Sequence, residues 1–160
     1  MVWPPRLGVG GGLELPFAGR DAELGDLEGD LAAAEAGRSR MVAVSGAHGA
    51  GKSRLLEELA AIAKRRGFAV ASARGVDQTG SPPMWCWRQL VSDLLSVVDP
   101  LTRASVVGAH GPVIGGLLTP DGGPDGTDRE SASAAFRLME AISMTLRDIA
   151  RRRPILGEPR

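Results

Sequence analysis

Residues 41–60 read "MVAVSGAHGAGKSRLLEELA". A short apolar run, Met41 to Val44, enters a turn with three glycines. The turn ends on Lys52-Ser53 and opens into leucines at helical spacing. This order predicts a short buried strand over 41–45, a tight loop, and a helix over 52–66 with Leu55, Leu56, Leu59, Ile62 and Ala63 on its apolar side. The spacing is Gly46-x-x-x-x-Gly51-Lys52-Ser53, the pattern of a phosphate-binding loop. Glycine has no Cβ, so Gly46, Gly49 and Gly51 let the backbone take positive φ and lie close to an anion. Successive N–H groups then converge on one concavity, and the start of the following helix adds its unpaired donors and the positive end of its dipole. Lys52 supplies a point charge for the phosphates, and the Ser53 hydroxyl is the expected Mg²⁺ ligand. The chain has two lysines, Lys52 and Lys64, among 19 basic residues, so a chance lysine here is improbable. His48 occupies a loop position that tolerates many residues and reads as a surface residue.

The 160 residues suit one domain, and 43% hydrophobic residues suffice for a core. A net charge of +0 gives no argument for nucleic acid or an anionic membrane. Cys86 stands alone, which rules out an internal disulfide and fits a reducing, cytoplasmic compartment. No run of 18 apolar residues occurs, so no membrane span is expected. The N-terminus lacks the basic-then-apolar layout of a secretory signal.

Working outward, residues 1–14 are rich in Gly and Pro and read as a flexible lead-in. Residues 21–36 predict a helix with Leu24, Leu27, Leu31 and Ala34 as its stripe, Asp21 at its start and Gly37 ending it. "FAVASA", 68–73, predicts a second strand, which makes a strand–helix–strand unit and a parallel α/β sheet. A loop spans 74–83. A helix then opens behind Pro82-Pro83, with Trp85 and Trp87 pointing to opposite sides, one into the core and one outward. Residues 98–127 are dense in Gly, Pro and Asp and read as irregular, with a mobile "LLTPDGGPDGTD" loop. A helix follows over 128–152, with Phe136, Met139, Ile142, Leu146 and Ile149 as its buried face. Arg151, Arg152 and Arg153 read as its solvated end.

The order of these motifs resembles the origin-recognition-complex-like AAA ATPase module. That module heads bacterial LuxR-type regulators and other signal-transduction ATPases of the STAND kind. The resemblance rests on "LPFAGRDAEL", the phosphate loop, "SPPMWCWRQL" and "ARRRP", and it spans residues 13 to about 156. It implies a P-loop NTPase-like α/β fold, a parallel sheet flanked by helices. The partial domain would occupy 15–156, with 157–160 as a tail. It implies ATP or ADP with Mg²⁺, held by Gly46, Ala47, His48, Gly49, Ala50, Gly51, Lys52 and Ser53. Phe17, Gly19 and Arg20 would lie near the adenine and ribose. The family continues after "RRP" with four or five apolar residues and two acids that serve Mg²⁺ and the attacking water. Here Pro154 is followed by Ile155, Leu156, Gly157 and Glu158, too few apolar residues for a buried strand, and Glu158 comes too early to match the acids. The expectation is therefore a fold truncated before its acidic strand, an ATP-binding module of a regulator with impaired hydrolysis. In the family sheet, two strands lie between the P-loop strand and the second strand. The two strands read from this chain would then have open edges. Downstream regulatory domains or self-association are the expected partners; direct nucleic-acid binding and membrane association are not expected. Two rivals stand beside this reading. One is an active NTPase or kinase using Asp77 at the end of the second strand. The other is a scaffolding fragment without a nucleotide.

Overall fold

The computed structural model describes residues 19–75, 84–118 and 129–159. Its elements are α1 (Asp21–Glu35), α2 (Lys52–Arg65), β1 (Ala69–Ala73), α3 (Trp85–Val97), α4 (Pro100–Leu118), α5 (Arg129–Ala150) and β2 (Ile155–Pro159). The result is a helix-rich α/β arrangement around a two-stranded parallel sheet, in which Ala69 pairs with Ile155 and Ala73 with Pro159. The lead-in, Phe17, Asp77, the Pro82-Pro83 pair and most of the "LLTPDGGPDGTD" loop lie outside the described residues.

Alternation along β1 builds two cores. Ala69 and Ala71 face a cluster with Val91 and Leu94 of α3, Val106 and Ile114 of α4, and Ile142 and Ile149 of α5. Val70 and the adjoining Phe68 face Leu27 and Leu31 of α1 and Leu55 and Leu59 of α2. The small alanines let helices lie close to the strand, and each face removes apolar surface from water. α1 and α2 end as the sequence predicts. Gly37 and Gly67 take φ of 77° and 89°, and their N–H groups close on Ala34 and Lys64 carbonyls.

Several expectations need correction. Residues 41–45 form no strand: Met41 and Val42 are 97% and 49% exposed. A strand exists only where a neighbour accepts from its N–H groups and donates to its C=O groups. Met41, Val42 and Val44 line a groove of about 740 Å³ together with Ile155 and Leu156 of β2 rather than pairing with that strand. Residues 155–159, expected to hold no strand and to end in a tail from 157, do form β2 because β1 supplies a ladder. β1 therefore has a partner, and its outer edge is closed as well. Asp93 of α3 accepts the Ser72 N–H at 2.8 Å, and the Gln89 amide of α3 both accepts from and donates to the Arg74 backbone at 3.2 Å. The open positions are the far edge of β2 and the 41–45 segment facing it.

The third correction is α4, a 19-residue helix in the stretch read as irregular. Asp99 starts it: its carboxylate accepts the Thr102 N–H at 2.9 Å, and the Thr102 bonds hold that carboxyl below its usual range. Pro100 sits at the first helical position, where no N–H is needed. Four glycines and Pro112 lower the intrinsic propensity, but Thr102, Val106, His110, Ile114 and Leu117 follow helical spacing and are buried. Tertiary packing outweighs propensity here.

The fourth correction is the face of α5. Leu138, Ala141, Ile142, Thr145 and Ile149 are buried, whereas Phe136 and Met139 are 71% and 39% exposed. The exposed aromatic is therefore Phe136. Trp87 packs against the core, and Trp85 is half-buried beneath the Arg88 guanidinium, 4.2 Å from the ring centroid. The arginine run is also more than a solvated tip. Arg153 donates to the carbonyls of Gly67 and Phe68, and Arg152 to the hydroxyls of Thr102 and Ser105.

Candidate functional site

The loop at 46–51 connects the open 41–45 segment to α2. Its shape follows from two backbone angles. Gly49 and Gly51 have φ of 77° and 80°, which a residue with a Cβ rarely adopts. A turn is closed by the Ala50 N–H donating to the Ala47 carbonyl at 3.2 Å. Gly51 is the N-cap of α2, and the first intrahelical bond runs from the Leu55 N–H to the Gly51 carbonyl at 3.0 Å. Gly51 has no side chain to cap the helix. The N–H groups of Lys52, Ser53 and Arg54 have no helical carbonyl four residues earlier, and no N-cap side chain replaces it. That set of donors, beside the positive end of α2, suits an oxyanion.

Lys52 turns back over the loop. Its ammonium donates to the carbonyls of Gly46 and Ala47, each at 2.9 Å. The cation thus braces the first half of the loop from a position on its rim. Ser53 and His48 are exposed, and His48 has the surface placement expected for it.

Gly19 and Arg20 stand at the start of α1, with Gly19 at φ 78° and Arg20 as the N-cap residue. The Arg20 guanidinium reaches the same loop and donates to the Ala50 carbonyl. It is also paired with Glu23 at 3.5 Å. Sequence reasoning selected Arg20 as a candidate but missed this contact, because the two residues are 30 positions apart and no local pattern joins them. The structure therefore brings Arg20 together with residues 46–53; Phe17 and Asp77 lie outside the described residues. Among the described residues no cluster of His, Cys, Asp and Glu suits a metal ion on its own, and no helix is long and apolar enough to cross a membrane. Any Mg²⁺ here would need oxygens from its ligand as well as Ser53, which is how Mg²⁺ accompanies phosphates.

Residues 16–156 match the family model described as AAA ATPase domain. No curated protein and no solved structure matches the chain.

Proposed function

The chain belongs to the AAA ATPase domain family, and from that premise we propose that it is the ATP- or ADP-binding module of a bacterial signal-transduction regulator. The observation that carries the reading is the uncapped start of α2 behind two positive-φ glycines, with Lys52 on the rim. Backbone N–H groups of residues 47–53 would hold the phosphates. Lys52 would exchange its carbonyl partners for phosphate oxygens, and Ser53 would hold Mg²⁺. Bound Mg²⁺ would neutralise phosphate charge. The described residues of the site bind and orient, and none of them is assigned to align an attacking water.

The same reading gives weak hydrolysis. β2 carries Ile155, Leu156, Gly157 and Glu158, without the run of apolar residues and paired acids that the resemblance implies. Phosphoryl transfer depends on placing water and completing the metal shell, so binding and turnover separate. Calorimetric titration with Mg-ATP and Mg-ADP tests the binding. Lys52→Ala removes one charge-assisted contact, worth roughly 1.5–3 kcal/mol, or about ten- to hundredfold in affinity. Equal affinities for the two proteins would refute the assignment. Phosphate release by the unmodified chain is expected to match the Lys52→Ala control.

A further inference from the structure

The geometry points to Arg20 as a positioning residue that straps the second half of the phosphate loop from the start of α1. Two contacts and one close approach carry this. The guanidinium donates to the Ala50 carbonyl. A side chain on Gly51 would lie 4.0 Å from the Arg20 Nε, so the guanidinium flanks the N-cap of α2. Glu23, one turn into α1, holds it at 3.5 Å.

Peptide planarity turns these contacts into a function. In a trans peptide the C=O and the following N–H point in opposite directions. Drawing the Ala50 carbonyl toward Arg20 therefore aims the Gly51 N–H away from Arg20, on the opposite side of the chain. Lys52 holds the Gly46 and Ala47 carbonyls. The loop is thus held by two cations, one at each half, before any ligand arrives. Lys52 is drawn off when phosphate enters, whereas Arg20 stays. A guanidinium beside the positive end of a helix is unfavourable in isolation. Glu23 offsets that repulsion in the free protein, and an arriving anion benefits from the same positive potential. A loop ordered in advance loses less entropy on binding. This role differs from the adenine and ribose contact that the family resemblance implies for Arg20. The inference rests on the reading of residues 46–53 as a phosphate site.

The test uses the full chain in two measurements. Amide hydrogen exchange on the ligand-free protein reads the strap directly. Arg20→Ala is expected to speed exchange of the Ala50 and Leu55 amides, the hydrogen-bonded donors of the loop and its junction with α2, by about tenfold, the equivalent of one charged hydrogen bond of about 1.5 kcal/mol, with β1 unchanged. Titration then compares ATP, ADP and inorganic triphosphate. A strap acts on the loop, so all three affinities fall together, by about tenfold. Arg20→Lys, which offers a point donor without the fork, is expected to restore part of the loss. Unchanged loop exchange overturns the inference. So does a loss confined to the adenine nucleotides, which would place Arg20 on the base or ribose. Should Arg20→Ala raise exchange throughout the protein, Glu23→Gln decides, because it only releases the guanidinium. Faster exchange confined to the loop supports the strap, and none overturns it. Failure of the unmodified chain to bind any of the three ligands would refute the phosphate site, while the exchange result would still decide the strap.

Discussion

Arg153→Ala separates two accounts of the same three arginines. By composition the run is a solvated helix end; by geometry Arg153 pins the start of β2 to the start of β1. Its guanidinium donates to the Phe68 carbonyl at 2.8 Å, to the Gly67 carbonyl, and weakly to Val97 at 3.4 Å. The Ala69 N–H donates to the Pro154 carbonyl at 2.8 Å just beside it. Phe68 is 1% exposed, so its carbonyl loses a donor that water replaces poorly. A hydrogen bond to a charged group is worth about 1.5–3 kcal/mol. The Phe68 bond is counted once, the Gly67 bond is discounted because water can reach the turn, and the Val97 contact is ignored. The expected loss is about 2 kcal/mol. In urea, with a slope of about 2 kcal/mol/M, the unfolding midpoint should drop by about 1 M. Arg151→Ala is the control. Arg151 is 78% exposed and pairs with Asp148 across the helix surface, so its loss should cost under about 0.5 kcal/mol. Urea unfolding followed by circular dichroism checks both. Equal midpoints for the two variants would refute the pinning role and leave the run as a solvated end.

Three further outcomes are expected. The Thr145 hydroxyl is fully buried with no hydrogen-bond partner, so Thr145→Val should raise stability by about 1 kcal/mol, and a measurable loss would contradict that orphan state. His110 holds the Asp148 carboxyl below its ordinary value of 3.8 through a 3.0 Å bond, and the Thr102 bonds hold Asp99 below it too. The unfolded chain binds these protons first as pH falls. Their stabilisation is therefore complete above pH 3.8 and is lost as the pH drops through the lower folded values; His110→Gln should flatten that acid limb, and an identical limb would exclude the pair. The apolar groove at the open edge of β2, with Met41 and Phe136 exposed, should make the chain bind a hydrophobic dye and elute above monomer size; a compact monomer that binds no dye would contradict this.

What the sequence alone determined is local. Three glycines, a lysine and a serine at fixed spacing specify a turn, because glycine readily takes the φ found at residues 49 and 51, which residues with a Cβ rarely adopt, and a helix starts immediately after. α1, α2 and β1 were legible for the same reason: their caps and periodicity lie within the segment. Tertiary structure decided everything that depends on a distant partner. "MVAVS" has the composition of a strand but forms no ladder, whereas Ile155–Pro159, with a glycine, a buried Glu158 and a proline, does, because β1 lies beside it. α4 formed against its glycines and Pro112 because α5 and α3 bury one side of it. α5 offered two apolar stripes, and packing selected Leu138 and Thr145 over Phe136 and Met139. Arg20 and Arg153 gained their roles across 30 and 85 residues of separation. Capping and backbone angles are encoded within a few residues, while ladders, helix faces and cation–carbonyl contacts form only when remote segments meet.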